Sequence, residues 1–173
     1  MNEPVLARMS AALAHRGPDG SACRFDGSLA LVHHHLRVTP EEMGESQPLC
    51  DRQGVSVVLD GRLDNRAELL RALDLPPSVS DAAAVLTAYG AWGEDFPAHL
   101  NGDFALAVYD PRRPRLILAR DAIGVRPLYY FGNDRFFAFA SEIKALLAHP
   151  EIPSRPDNDG LADFLLLGAR PLD

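Results

Sequence analysis

Between residues 101 and 140 the apolar positions fall into four short runs separated by turn-forming residues. The first two, 104–109 and 116–119, flank Asp110-Pro111-Arg112-Arg113-Pro114. Apolar runs around a Pro-rich connection of about five residues predict a β-hairpin. Along the first run Phe104, Leu106 and Val108 alternate with Ala105, Ala107 and Tyr109. Both faces are then apolar, one bulky and one mostly small, as in a strand covered on both sides. A third run, 127–131, turns at Gly132-Asn133-Asp134 into a fourth, 135–140. The four runs predict one four-stranded unit on which the rest of the chain packs.

Elsewhere the pattern alternates between helix and strand. Asn2 can cap a first helix with Glu3 and Pro4 in its opening turn, and Val5, Leu6, Met9 and Leu13 share one face. The helix ends in a compact loop at 15–20, forced by Gly17, Pro18 and Gly20. A strand at 28–36 is followed by a polar loop at 39–47, whose Glu41, Glu42 and Glu45 read as a solvated face. The next strand, 55–59, stops at Asp60-Gly61. Asn65 with Glu68 forms a capping-box start for a helix at 66–73. Ser80 and Asp81 open another, with Val85, Leu86, Tyr89 and Trp92 facing the core and Gly93 closing it. Ser141 opens a helix at 142–148, 150–156 reads as a linker, and Asp157 caps a last helix at 158–167. Two groups of strands with helices between and after them predict an α+β domain of layered sheets and helices.

Composition narrows the function more than the fold. No apolar run approaches the ~18 residues of a transmembrane helix, and the first residues carry no signal-peptide pattern. A net charge of −7 argues against a nucleic-acid surface. Cys23 and Cys50 read as free thiols of a cytoplasmic protein. Of the run His33-His34-His35 only His33 and His35 share a side of a strand, and without a third ligand no metal site is predicted. Arg120-Asp121 reads as a buried or half-buried pair bracing the sheet.

Six motifs occur in one order: HRGPDG at 15–20, GRLDN at 61–65, SD at 80–81, NGDFALAVYD at 101–110, RDAIGVRPLYY at 120–130 and FASEIKALL at 139–147. Together they resemble the glutaminase domain of the asparagine synthetase family, the class II glutamine amidotransferases. The resemblance covers roughly residues 4–170. It implies a four-layer α-β-β-α sandwich of the N-terminal-nucleophile hydrolase type, in which an N-terminal cysteine releases ammonia from glutamine. It also implies a C-terminal synthetase domain that activates a carboxylate with ATP and magnesium and captures the ammonia. Residues 1–149 correspond to the glutaminase-like domain, and 150–173 to a linker and first helix leading to a synthetase domain outside this chain, so no cofactor is expected here.

The departures from the family pattern concern the chemistry. The family's first strand and its terminal cysteine have no counterpart, so the sandwich is expected to lack that strand and the chain to have no catalytic residue. A nucleophile whose own α-amine is the base must be terminal, which Cys23 and Cys50 are not. The resemblance implies a glutamine pocket at His35, Asp60, Gly61, Arg62 and Asp81. There Asp60-Gly61 stands for an Asn-Gly that supplies two oxyanion donors, and losing one such donor costs about 3–4 kcal/mol. A carboxylate about 3 Å from the oxyanion adds roughly 5 kcal/mol of repulsion at an effective dielectric of about 20. His35 stands for the arginine that clamps the substrate carboxylate, a role imidazole cannot reproduce. Arg62 stands for a glutamate, while the ammonium-binding aspartate persists as Asp81. An Arg62–Asp81 salt bridge is expected to plug the vestigial pocket.

The pattern is similar to the amidotransferase-like domains of beta-lactam synthetases and lasso-peptide cyclases, which close an amide without glutamine. The leading expectation is therefore a catalytically degenerate domain of an ATP-dependent amide-forming ligase. Its partners would be its own synthetase domain, a peptide or amino-acid substrate and a second copy in a homodimer. The alternatives are the glutaminase domain of a glutamine-hydrolysing asparagine synthetase truncated at its N-terminus, and a stand-alone binding module.

Overall fold

The bulky and small faces read from 104–109 are sorted in the fold onto different neighbours. The computed structural model describes residues 3–167. From the N-terminus, α1 (Glu3–Ala11) leads through a 3-10 turn into the hairpin β1 (Ser21–Asp26) and β2 (Leu29–His34). A second 3-10 turn (Pro40–Glu42) precedes β3 (Leu49–Cys50), β4 (Ser56–Leu63), α2 (Arg66–Ala72) and α3 (Asp81–Trp92). Then come β5 (Gly102–Asp110), β6 (Arg115–Arg120), β7 (Tyr129–Gly132), β8 (Phe137–Ala140), α4 (Ile143–Leu147) and α5 (Asn158–Leu167). Strands β3-β4-β5-β6 form one antiparallel sheet, while β1-β2 and β7-β8 are separate hairpins.

Three apolar clusters mark the interfaces of four layers. The largest packs Leu59, Phe104, Leu106 and Val108 of the sheet against Val85, Ala88 and Tyr89 of α3. On the other side of the molecule, Ala138 and Ala140 lie under Val5 and Met9 of α1 and Ala145 and Leu146 of α4. Between sheet and hairpins the buried residues are Leu31, Val58 and Ala107, ringed by Leu29, Leu116, Leu118 and Phe139. The order is α-β-β-α, as expected. The bulky row of β5 thus faces the helices, and its alanines face the hairpin layer.

Several elements depart from the sequence reading. The four runs between 101 and 140 do not make one unit, since β5–β6 and β7–β8 belong to different sheets. The turn between them explains this: Asp121 accepts the backbone N–H groups of Val125 (2.8 Å) and Arg126 (3.0 Å), turning the chain out of the sheet. Asp121 is thereby a turn residue and forms no ion pair with Arg120 among the described residues. Strand β1 went unread because its less exposed positions are Ala22, Arg24 and Asp26 while Phe25 is exposed, so no apolar alternation marks it. Strand β4 runs past Asp60-Gly61 to Leu63 because Gly61 adopts φ 144° at a point where a Cβ would lie 2.0 Å from the Asp103 carbonyl oxygen. Asn65 caps nothing by its side chain and instead ties His99 O and Asn101 N. Glu45 is not on a solvated face: it is half-buried, bonded to Ser80 Oγ and to Gln47 Nε2 (3.4 Å). Ser80 and Asp157 cap their helices as read, whereas the cap assigned to Asn2 lies outside the described residues.

One buried charge ties α3 to the sheet. Asp110, 2% exposed, accepts from Tyr89 Oη (2.9 Å) and from the Nη2 (2.7 Å) and Nε (2.8 Å) of Arg112. Those Arg112 bonds, reinforced by Tyr89, hold its carboxyl far below the ordinary carboxylate range. Removing only the cation strands a buried carboxylate. Arg112→Ala is therefore expected to destabilise the fold more than Arg112→Ala combined with Asp110→Asn, a difference read directly from urea unfolding midpoints.

The alanine face of β5 leaves room above it. A cavity of about 400 Å³ lies between β2 and β8, with Val58, Ala105 and Ala107 below and Leu6 and Met9 above. Consecutive residues of both strands, 28–33 and 135–141, line it, so strand edges with their free ladder groups border the space. Such edges recruit another strand. The chain is expected to self-associate in analytical ultracentrifugation, and a synthetic extended peptide of alternating apolar residues to suppress this. A monodisperse monomer indifferent to the peptide would contradict the expectation.

Candidate functional site

A second cavity, of about 380 Å³, opens where four segments converge. These are the turn after α1, the continuation of β2, the C-terminal half of β4 and the turn before β7. Their approach depends on Gly17, where a Cβ would stand 2.3 Å from the His34 carbonyl carbon. The lack of a side chain lets Asp19 N bond His35 O (3.0 Å) and His35 N bond Gly20 O (2.8 Å), zipping the turn to β2. The HRGPDG segment is thus a wall of the cavity.

Asp60 sits in this wall on β4. Its Oδ2 accepts from Arg16 Nη2 (2.8 Å) and its Oδ1 from Arg126 Nη1 (3.2 Å). Arg16 also reaches Glu142 Oε1 (3.3 Å), which accepts from His15 Nε2 (2.9 Å), while Glu142 Oε2 pairs with Lys144 (2.9 Å). Lys144 first, with Arg16 and His15 adding, holds the Glu142 carboxyl down at about 2. The expected repulsion by an isolated Asp60 carboxylate is corrected by this arrangement, because two guanidinium groups compensate its charge. What remains is a carboxylate each of whose oxygens accepts from one guanidinium.

The histidines follow the strand rule. His33 in β2 and His35 just past its end share one side of the extended chain, their Nδ1 atoms 3.2 Å apart, and His33 Nε2 lies 3.1 Å from the Leu59 carbonyl. A carbonyl only accepts, so His33 carries its proton on Nε2 and offers a bare Nδ1 to the Nδ1–H of His35. His35 Nε2 is then a lone pair, and it is buried without a partner. Burial first, then His35, pushes the His33 imidazole down to about 4. Burial, with Arg37 next, lowers His35. His34 faces the other way and binds Ser10 (Oγ 3.0 Å, O 2.9 Å), clipping α1 to β2.

Of the five residues assigned to the vestigial pocket, His35, Asp60 and Gly61 line this cavity; Arg62 and Asp81 do not. The expected Arg62–Asp81 bridge does not form. The Arg62 side chain is 65% exposed and pairs with Asp64 (3.1 Å) and Asp103 (3.5 Å). Asp81 accepts from Leu63 N (2.8 Å) and Arg66 Nε (2.9 Å), and burial raises its carboxyl despite both. The reason lies in placement: Arg66 on the first turn of α2 stands against Asp81 at the start of α3, whereas Arg62 lies opposite Asp103 in the β4–β5 ladder and pairs there. Arg16, Arg37, Arg126 and Glu142 were missed as cavity or rim residues. Arg16, Arg126 and Glu142 lie inside three of the recognised motifs, so their motif membership was the available signal. Arg37 had no signal beyond being two residues from His35.

A family model described as "Glutamine amidotransferase domain" matches residues 1–173. The chain is similar to the glutamine-hydrolysing asparagine synthetase 3 of Bacillus subtilis (strain 168), 38% identical over 95% of this chain and 28% of that protein. The glutamine-hydrolysing asparagine synthetase 2 of the same organism is 29% identical, over 95% of this chain and 22% of its own length. The chain therefore spans about a quarter of these relatives. Among solved structures, the glutamine phosphoribosylpyrophosphate amidotransferase from B. subtilis, complexed with ADP and GMP, superposes with a TM-score of 0.65. It is 20% identical, over 84% of this chain and 40% of that one, and so shares the N-terminal-nucleophile fold.

The depressed His33 has a consequence for stability. Unfolded, His33 takes up its proton near pH 6.5; folded, only near 4. Its contribution is present above about 6.5 and is lost as pH falls toward 4, because the unfolded chain binds the extra proton. His33→Gln is expected to remove about one proton from the slope of unfolding free energy between pH 6.5 and 4. An unchanged slope in denaturant titrations across that window would refute the assignment.

Proposed function

Because the chain belongs to the glutamine amidotransferase domain family, we propose that it is a catalytically degenerate member, the amidotransferase-like part of an ATP-dependent amide-forming ligase. The observation that supports this is the clamping of Asp60 between Arg16 and Arg126. At a position where the resemblance calls for a side-chain amide N–H, the chain holds a carboxylate paired with two cations. Without that donor the tetrahedral oxyanion loses about 3–4 kcal/mol of stabilisation, a rate factor of 10² to 10³. His35 adds a lone pair where a guanidinium clamp is needed. In the ligase, the synthetase domain would supply ATP and magnesium chemistry and close an amide from an amine in its own peptide or amino-acid substrate, as in beta-lactam synthetases and lasso-peptide cyclases.

One observation favours a second reading. The space between β2 and β8 is bordered by both strands and includes Asp60 in its lining, so a strand seated there would lie against the cavity wall that carries Asp60. Under that reading the domain hydrolyses glutamine when the strand is in place, as the names of its relatives state for them.

A coupled assay of ammonia release from glutamine, run on the full-length protein as well as on this chain, separates the two. The protein is expected to release none above buffer, with Cys23→Ala and Cys50→Ala as controls for adventitious thiol chemistry. Glutamine-dependent release that survives both substitutions would overturn the degenerate reading and favour the second.

A further inference from the structure

Asn101 is the one asparagine of this chain that glycine follows. The pair stands where β5 enters its ladder with β4, and the ladder leaves its reactive groups free. Backbone groups alternate in direction along a strand. Asp64 N donates to Asn101 O (2.7 Å) straight across the two strands, so the odd-numbered residues of β5 turn their backbone groups toward β4. Asp121 N donates to Phe104 O (2.8 Å), so the even-numbered residues turn theirs toward β6. Gly102 therefore points its N–H away from β4. On the other side pairing stops at Asp121 opposite Phe104, short of Gly102. Among the described residues the Gly102 N–H has no acceptor.

The Asn101 side chain is equally unoccupied. Its backbone is held by Asn65, whose Oδ1 accepts Asn101 N (3.0 Å) and whose N donates to Asn101 O (3.3 Å). The residue is exposed, and its carboxamide bonds nothing among the described residues. Asn65 and Asn133 differ in both respects. Asn65 Nδ2 donates to His99 O (2.9 Å), and Asn133 Oδ1 accepts Arg135 N (2.9 Å) and Phe136 N (3.0 Å). Each is followed by a residue with a bulky side chain, Arg66 or Asp134. Gly102 adopts φ 151°, and a Cβ there would stand 2.2 Å from the Arg62 carbonyl oxygen. Only glycine fits, so no side chain shields its nitrogen.

We propose that Asn101-Gly102 is a self-modification site at which the folded chain deamidates. Gly102 N loses its hydrogen to solvent and attacks Asn101 Cγ. The N–Cγ bond forms, the Cγ–Nδ2 bond breaks, and Nδ2 leaves as ammonia after taking protons from water. Water then opens the cyclic imide. Cleavage at Cγ gives aspartate, and cleavage at the α-carbonyl gives isoaspartate, whose main chain runs through Cβ and Cγ. In the isoaspartate the carbonyl that accepted Asp64 N and Asn65 N has become a free carboxylate, and one extra carbon precedes Gly102. Either product adds a negative charge to the ladder face where Asp64 and Asp103 already share Arg62. The junction of β4 with β5 is thereby loosened.

Peptide mass spectrometry after incubation in ¹⁸O-water at mildly alkaline pH tests this, on this chain and on the full-length protein. Asn101 is expected to convert, with label in the new carboxyl, at a rate within tenfold of that in the same chain unfolded in urea. Asn65 and Asn133 are expected to react at least tenfold more slowly than Asn101. Asn101→Gln, which keeps an exposed amide but needs a larger ring for attack, is expected to keep the urea midpoint and lose the product. Without glutamine, the wild-type chain should release up to one ammonia per molecule and the variant none. The deamidated fraction, separated by ion exchange, should unfold at lower urea. Conversion confined to the urea sample, or Asn101 reacting no faster than Asn65, overturns the proposal. An unchanged midpoint in the deamidated fraction overturns its consequence for the ladder.

Discussion

The pairing of β4 with β5 is the constraint on which the rest of this domain depends. Eight residue pairs, from Ser56 opposite Tyr109 to Leu63 opposite Gly102, place two strands with apolar groups on both faces at the centre of the molecule. Bulky residues on one face need a deep partner and find it in α3. Alanines on the other let a second layer approach, since close approach of two sheets is set by the size of the facing side chains. The same pairing requires Gly61 and Gly102, because a Cβ at either would strike the backbone of the other strand within 2.2 Å. The extended β4 then delivers Asp60 to the cavity.

That pairing also explains what could be read in the sequence and what could not. The size alternation of 104–109 is a local property, so the hairpin β5–β6 and its double-sided burial were legible, while the α-β-β-α order was an expectation from the family resemblance. Helix α3 was legible because Ser80 caps it and its apolar positions recur at helical spacing. The assignment of β7–β8 to another sheet was not, because it depends on Asp121 folding the following turn over itself. The cap at Asn65 failed for a similar reason: two backbone groups of the 99–101 segment, more than thirty residues away, compete for its amide. At the site, alignment of motifs located Asp60, Gly61 and His35 on one cavity. Pair chemistry was not legible, since which arginine meets which carboxylate follows from the arrangement of four segments. Arg62 and Asp81 each have a partner nearer in the fold.

Charge compensation in the cavity follows a consistent logic. Asp60 faces cations from two different loops, so the ion group fastens the turn after α1 and the turn before β7 to β4. The Asp60 side chain is 30% exposed, so an unpaired carboxylate there would be partly desolvated, and pairing offsets that cost. The arrangement holds the walls of the cavity together, and on the proposed reading it leaves position 60 without an amide donor. Arg37 stands outside this scheme. It is the cation that the network does not neutralise, and it sits beside the imidazole that the histidine relay leaves with a free lone pair.

The two cavities are not independent. Leu13, Val32, His33, Leu59, Asp60 and Ser141 line both, so the space between β2 and β8 and the polar cavity share a wall. His33 is in that wall and fixes the tautomer of His35, and Asp60 is in it and fixes Arg16 and Arg126. A segment pairing with β2 therefore presses on the residues that set the hydrogen-bonding character of the polar cavity. By linkage, a ligand that prefers one arrangement of this wall must alter the affinity for such a segment by the same factor.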